Sequence, residues 1–160
     1  MNVYTVSFFG HRQLEDSVRI EKQLETLIRK LLLEREYVEF LVGRDGEFDL
    51  LVSSVIRRCK QAVRADNSTH VWVLPYPTAE FRDNEASFYT YYDEIELCEA
   101  SCGTYFKGAH QKRNHNMADR SHLVVCCVRR EYGGAWQTIR YAQKWGVPCL
   151  NLAESVEVCP

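Results

Sequence analysis

The stretch VYTVSFFGHR, from Val3 to Arg12, decides the fold. Residues 3–9 are mostly β-branched or aromatic, which is typical of a short buried strand, and the run stops at Gly10. Over residues 14–36, apolar side chains recur at three- and four-residue steps and charged side chains cover the other face, which predicts a helix. A strand that breaks at Gly-His-Arg before a helix is typical either of a solvated surface loop or of a phosphate-binding turn.

The same alternation of strand and helix continues along the chain. Strands are predicted over 37–43, 69–75, 122–128 and 147–152, and helices over 50–63 and 135–146. Residues 76–103 are less regular and predict one short helix or strand, and residues 107–120 predict a polar helix or a partly helical loop. Near-continuous apolar strands alternating with helices predict one α/β domain over residues 1–160, with a mainly parallel sheet flanked by helices on both faces.

Composition narrows the classes of function. The chain has 160 residues, with 46% hydrophobic and 26% charged, as in ordinary globular proteins. A net charge of -2 disfavours a wholesale electrostatic grip on nucleic acid, although a local basic patch stays open. No apolar run reaches the roughly 18 residues that span a bilayer, and the first residues do not form a secretion signal. We therefore expect a cytoplasmic protein with no membrane partner.

Seven cysteines are many for this length. Their odd number and their place in apolar runs favour reduced, buried thiols over a disulfide framework. Cys126 and Cys127 are adjacent on a predicted strand, so they should point to opposite faces of the sheet. Cys98 and Cys102 precede two histidines, but these spacings match no standard zinc pattern, and we expect no metal.

Three turns that leave a strand and enter a helix carry unusual residues. In the first, Gly10 allows a sharp turn and a close approach, Arg12 can fork onto a phosphate, and His11 can donate or accept a proton near neutral pH. In an open parallel sheet, such turns share one edge, where backbone N–H groups and helix N-termini bind ligands.

The second and third turns extend this pattern. In GRDGEFD, Gly43 and Gly46 permit positive φ and Asp49 is placed to cap the second helix, while Asp45 and Glu47 would repel a phosphate and suit ribose hydroxyls or a base. In YGGAWQT, the paired glycines Gly133 and Gly134 predict an anion-binding concavity at a helix N-terminus, to which Thr138 could add a hydroxyl. The alternative is that the two glycines simply allow a tight connection between strand and helix, but an anion site is the favoured interpretation.

FFGHR, GRDGEFD and the segment from KRNHNMADR to GGAWQTIRYAQKWGVP together resemble the SLOG superfamily, and most closely its YpsA-like branch of unknown function. The resemblance implies a Rossmann-like fold that binds a nucleotide or a nucleotide-derived, ADP-ribose-like ligand. Other branches include the LOG phosphoribohydrolases, which release cytokinin bases, and the DprA proteins, which handle single-stranded DNA. The resemblance places ligand contacts on three turns and on the KRN segment, at Gly10, His11, Arg12, Gly43, Gly46, Asp49, Arg113, Asn114, Gly133, Gly134 and Thr138.

The chain departs from the phosphoribohydrolase motif, since no glutamate follows the glycine pair at the expected spacing. Catalysis therefore stays open and the catalytic residues unknown, with Asp45, Glu47 and Glu131 as the carboxylates that could substitute.

Three functions are compatible with the sequence, and they are given in decreasing order of support. The first is a sensor or sequestering module for a small phosphorylated ligand, with no established catalysis and with a homodimer left open. The second is a nucleotide N-glycosidase with a non-standard carboxylate. The third is a module for single-stranded nucleic acid or for protein interaction, in which Tyr89, Tyr91, Tyr92 and Phe106 could stack on bases. Nucleic acid is thus disfavoured as a partner.

Overall fold

Six parallel strands form one sheet in the order β4-β3-β2-β1-β5-β6. The structure is a computed structural model that describes residues 1–103 and 106–154, and the side chains of all of these except residues 106 and 107. All neighbouring strands of this sheet pair in parallel, so the predicted parallel sheet is confirmed. The strands are β1 (Val3–Gly10), β2 (Tyr37–Val42), β3 (Ser68–Leu74), β4 (Glu94–Leu97), β5 (Leu123–Cys127) and β6 (Cys149–Asn151).

Helices connect each strand to the next. The first helix begins three residues later than predicted, because Asp16 before it adopts a left-handed conformation with φ of 57°. The second begins three residues earlier than predicted, directly after Gly46. The helices are α1 (Ser17–Glu34), α2 (Glu47–Ala62), α3 (Ala79–Asp83), α4 (Glu85–Tyr91), α5 (Phe106–Asp119) and α6 (Gly134–Lys144).

Two hydrophobic cores cover the two faces of the sheet. Side chains from α1 and α2, such as Ile20 and Val52, pack with Cys127 on one face. Side chains from α5 and α6, such as Met117, pack with Cys126 on the other. The two adjacent cysteines therefore point to opposite faces, as predicted, and the covering of both faces is confirmed.

The described cysteines are all free thiols, while Cys159 lies outside the described residues. In the described part of the chain, no group of three His, Cys, Asp or Glu side chains is arranged to hold a metal ion. No helix within residues 1–103 and 106–154 is long and apolar enough to cross a membrane.

The irregular region 76–103 contains more structure than the sequence predicted. Two short helices, α3 and α4, precede the edge strand β4, which pairs with β3. The predicted base-stacking aromatics do not form an exposed stripe: Tyr92 is 2% exposed and packs on Trp72, and Tyr91 is half-buried. Tyr89 is exposed, and the side chain of Phe106 lies outside the described residues.

The strand order reverses at β1. The chain first builds the sheet outward from β1 through β2 and β3, and then returns to place β5 on the other side of β1. Loops that leave the carboxyl ends of β1 and β5 therefore diverge to opposite faces of the sheet and open a crevice between them.

Candidate functional site

A cavity of about 480 Å³ opens at the carboxyl ends of β1, β2 and β5, at the point where the strand order reverses. The three turns singled out in the sequence meet there, together with one face of α5. Nine of the eleven predicted site residues line the cavity, namely Gly10, His11, Arg12, Gly43, Asp49, Arg113, Asn114, Gly133 and Gly134. Gly46 and Thr138 do not line it.

His11 ties the turn after β1 to the turn after β5. Its Nε2 accepts the backbone N–H groups of Arg129 and Arg130 at 3.2 and 3.3 Å. Burial and then the charge of Arg130 lower the pKa of His11, which favours the neutral ring that this contact requires. The role of His11 visible in the structure is to join two turns.

Arg12 is exposed at the cavity rim, and no acidic side chain in the described residues pairs with it. Its carbonyl oxygen accepts the N–H of Glu47 at 2.8 Å, which anchors the first turn to the start of α2. The guanidinium is therefore free to bind an anion at the mouth of the cavity.

A positive φ was predicted for Gly43 and Gly46, and neither has one. Gly46 is needed instead because the first turn packs closely against it. Gly46 is extended, with φ of −170°. A Cβ on Gly46 would lie 2.4 Å from the Cα of Arg12. On Gly43, a Cβ would lie 3.1 Å from Oδ2 of Asp49. These glycines let the first two turns and the buried carboxyl come together.

The prediction that Asp49 caps α2 is wrong. Gly46 occupies the cap position, and Asp49 lies within the first turn of the helix. Its Oδ2 accepts the backbone N–H of Asp45 at 2.9 Å. Burial and the nearby charge of Asp45 raise the pKa of Asp49 to about 7. The residue holds the second turn in place and is only partly charged at neutral pH.

Arg113 is a buried cation in the wall of the cavity. Its side chain is 2% exposed, and it donates to Asp45 Oδ2 at 2.5 Å, to the Val73 carbonyl at 2.8 Å and to Asn114 Oδ1 at 2.9 Å. Burial disfavours charge on Asp45, but His110 and Arg113 outweigh it and hold the pKa of Asp45 well below its usual range. Arg113 is thus fully engaged inside the protein.

The predicted substitute carboxylates are dispersed. Glu47 accepts the N–H of Leu14 at 2.6 Å and does not line the cavity, and Glu131 is exposed away from its lining. Asp45 alone of the three faces the cavity, as an ion-pair partner of Arg113.

The turn after β5 places a glycine pair at the N-terminus of α6. Gly133 has φ of 96°, a conformation that side chains disfavour, whereas Gly134 is the first residue of the helix. Both glycines line the cavity, and the N-terminus of α6 there carries the positive end of the helix dipole. Thr138 is buried and donates its hydroxyl to the Gly134 carbonyl at 2.8 Å, so the hydroxyl expected in the cavity is absent from it.

Sequence reasoning missed Arg130 and Tyr132, which line the cavity beside the glycine pair. The Arg130 Nε is buried and has no hydrogen-bond partner among the described residues. The Arg130 guanidinium carbon lies 5.5 Å from the ring centroid of Tyr132, which is 65% exposed. The signal was available, since both residues stand in the stretch RREYGG.

Comparison with family models and with curated proteins finds no match for this sequence. Comparison with solved structures does find similar folds. One is DNA processing protein A (DprA) from Helicobacter pylori, described for its single-stranded DNA binding mode, with a TM-score of 0.64 and 16% identity. The match covers 91% of this chain and 63% of that one. The fold resembles that of DprA.

A second similar structure is DprA from Streptococcus pneumoniae, with a TM-score of 0.66 and 15% identity. That match again covers 91% of this chain, but 49% of the other. The chain thus spans between half and two thirds of the length of these DprA structures. At these identities the likeness shows the fold, and it confirms the Rossmann-like α/β architecture.

These structures correct the order of functions expected from the sequence. A sensor for a small nucleotide-derived ligand was placed first and single-stranded nucleic acid last, yet the similar folds belong to DNA processing proteins, one of which is described for single-stranded DNA binding. The expectation that disfavoured nucleic acid is wrong. That expectation rested on net charge, which averages over the whole chain. Net charge does not reveal that Arg12 and Arg130 both line the cavity without an acidic partner among the described residues.

Proposed function

We propose that this protein binds single-stranded DNA at the cavity formed by the carboxyl ends of β1, β2 and β5. The observation that carries the proposal is the pair of arginines, Arg12 and Arg130, which line the cavity from the turns after β1 and β5. Neither has an acidic partner among the described residues, and the buried Nε of Arg130 lacks a hydrogen-bond acceptor. A phosphodiester supplies the missing acceptor and charge together.

The turn at Gly133 supports a second contact with the same phosphate or its neighbour. Gly133 has a positive φ, and both glycines line the cavity where α6 starts, at the helix end whose first backbone N–H groups have no partner within the helix. Such N–H groups at a helix N-terminus bind phosphate oxygens without reading sequence. The same contact suits a DNA backbone of any sequence.

Tyr132 supports a contact with a base. Its ring is mostly exposed beside Arg130 at the cavity mouth. A base that stacks on an aromatic ring contributes roughly 1–3 kcal/mol, and this contact is available to single strands, whose bases are free to leave the stack. The site therefore favours single strands over duplex DNA.

The acidic side chains inside the cavity do not oppose a bound phosphate strongly. The charge of Asp45 is compensated by the buried Arg113, and the raised pKa of Asp49 keeps that carboxyl partly neutral. We propose that Gly43, Gly46, Asp49, Arg113 and Asn114 shape the cavity, while the turns at residues 10–12 and 133–134 contact DNA.

A binding titration tests the proposal. Fluorescence anisotropy with labelled single-stranded oligothymidine should show binding, with duplex DNA of equal length bound at least about tenfold more weakly. Arg12→Ala and Arg130→Ala should each weaken binding by about 1.5–3 kcal/mol, the range for a hydrogen bond to a charged group. Arg29→Ala is the matched control, since Arg29 is an exposed side chain on α1, and it should leave the affinity for oligothymidine unchanged.

Three results would overturn the proposal. They are no binding of oligothymidine, equal affinity for duplex and single strand, and equal affinity for thymidine monophosphate and for the oligonucleotide. Membership of the YpsA-like branch, a cytoplasmic location and a single domain across residues 1–160 remain proposals that stand on the sequence motifs and composition alone.

A further inference from the structure

We infer that the outer face of α6 is a second contact surface for the same DNA strand, which continues along the helix after leaving the cavity. The inference rests on the proposed function, because it extends the path of the strand bound there. The α6 track is defined as Trp136, Arg140, Lys144 and Trp145. It starts one turn from the glycine pair at the cavity, since α6 begins at Gly134.

Helix geometry places three of these side chains in one stripe, and Trp145 follows directly after the helix. Trp136, Arg140 and Lys144 are spaced by four residues, so they lie on one face of α6. Arg140 and Lys144 on that face are exposed, whereas Trp136 is half-buried and packs partly against the core. The buried residues of the helix are Thr138, Ile139 and Ala142. An eleven-residue helix is about 16 Å long, which extends the contact surface well beyond the cavity.

The charge of the α6 track suits a polyanion. Of the six helices in the described part of the chain, α6 is the one whose sequence contains no Asp or Glu. Arg140 and Lys144 have no acidic partner among the described residues. The nearby carboxylate of Asp119 accepts the hydroxyl of Tyr141 at 2.6 Å on the side of the helix that faces α5.

Each of the two cations lies near an aromatic ring. The Arg140 guanidinium lies 5.2 Å from the Trp136 ring centroid, and the Lys144 ammonium lies 6.0 Å from that of Trp145. Trp145 is 65% exposed, and a shallow depression is lined by Arg140, Tyr141, Gln143 and Lys144. Cations for phosphates beside aromatic faces for bases are the combination that single-strand grooves use.

The test compares two lengths of oligothymidine, of about four and about twelve nucleotides, which span the site sizes of single-strand binding folds. The short strand reaches only the cavity, whereas the long strand also reaches the α6 track. The test variant carries Arg140→Glu and Lys144→Glu. Its matched control carries Lys22→Glu and Arg29→Glu on α1, which covers the opposite face of the sheet. The two variants therefore have the same change in net charge.

The α6 variant should bind the long strand about tenfold or more weakly, and the slope of log affinity against log salt should fall by about 1.4, as expected for two lost phosphate contacts. Its affinity for the short strand should match that of the α1 control. Trp145→Ala, which leaves charge unchanged, should weaken only the long strand, by about fivefold or more, the lower limit for one lost stack.

Equal long-strand affinity in the α6 variant and the α1 control overturns this inference and leaves the cavity proposal standing. Absence of binding of both lengths by the unsubstituted protein overturns both. Sedimentation of the free protein provides the remaining outcome. If the protein self-associates and the α6 variant is monomeric, the track is an interface between copies of this chain and the inference is wrong.

Discussion

Arg113 on α5, which is buried, and Asp45 in the turn after β2 form an ion pair, with NH2 and Oδ2 2.5 Å apart. The same guanidinium donates to the Val73 carbonyl at the end of β3. One side chain therefore joins a helix, a turn and a strand end beneath the cavity. Because Arg113 is 2% exposed and Asp45 is 35% exposed on the cavity side, removal of the arginine leaves a partly buried carboxylate without its closest cation.

Arg113→Met should lower the free energy of unfolding by about 1–3 kcal/mol at pH 7, the range for leaving hydrogen-bonding groups without their partner. Urea denaturation measures this directly. Arg12→Met, at an exposed position with no acidic partner in the described residues, is the control and should change stability by less than about 0.5 kcal/mol. A loss of under about 1 kcal/mol for Arg113→Met would show that the pair does not support the fold.

Asp49→Asn should stabilise the protein at pH 8 and much less at pH 4. The pKa of Asp49 is raised from 3.8 to about 7, so between these values the folded state holds a proton that the unfolded state has lost. Stability contributed by this group is therefore present at low pH and declines as pH rises from about 4 to 7. The asparagine retains an oxygen to accept the Asp45 N–H and cannot ionise.

Free energies of unfolding at pH 4 to 8 check this prediction. The difference between Asp49→Asn and the unsubstituted protein should grow by at least about 1.4 kcal/mol over that range, the equivalent of one pKa unit. A pH-independent difference would mean that Asp49 is already ionised in the folded protein.

The fold and the place of the site were predictable because both depend on local signals. Apolar runs that end in glycine predicted the strands and the turns at Gly10 and Gly43, and parallel strands bring their carboxyl ends to one edge. The pairing of Asp45 with Arg113 was not predictable, because the two residues are 68 positions apart and the packing of α5 brings them together.

Two other differences have local causes. The sequence did not show why each site glycine is needed. Gly46 is needed because it packs closely against Arg12, and Gly133 because its own φ is positive. The short elements between residues 76 and 103 were also missed. They are held by aromatic packing around Trp72, which involves residues distant in sequence.

Gly46→Ala should destabilise the protein by about 1–3 kcal/mol, the range for overpacking. The added Cβ would meet the Cα of Arg12 at 2.4 Å, and that contact is with backbone, which cannot turn aside. The first turn must move, so affinity for single-stranded DNA should fall as well. Thermal unfolding and the oligothymidine titration measure the two effects, and a stable variant with unchanged affinity would contradict the packing argument.

Gly133→Ala and Gly134→Ala should differ although both sites have open space around them. Gly133 has φ of 96°, so alanine there costs about 1–2 kcal/mol of stability. Gly134 is the first residue of α6, and alanine should leave stability unchanged or raise it by up to about 1 kcal/mol. Melting temperatures compare the two, and equal losses would mean that the strain is not at Gly133.

Tyr132→Ala should weaken binding of single-stranded oligothymidine by about 1–3 kcal/mol, whereas Tyr132→Phe should retain nearly full affinity, because stacking requires the ring and not the hydroxyl. The ring is 65% exposed, so neither change should disturb the core. Tyr89→Ala is the matched control, since Tyr89 is 54% exposed on α4 and does not line the cavity. Anisotropy titrations of the three variants give the comparison. If Tyr89→Ala weakens binding and Tyr132→Ala does not, the strand runs over α4, and the position assigned to it at the cavity mouth is wrong.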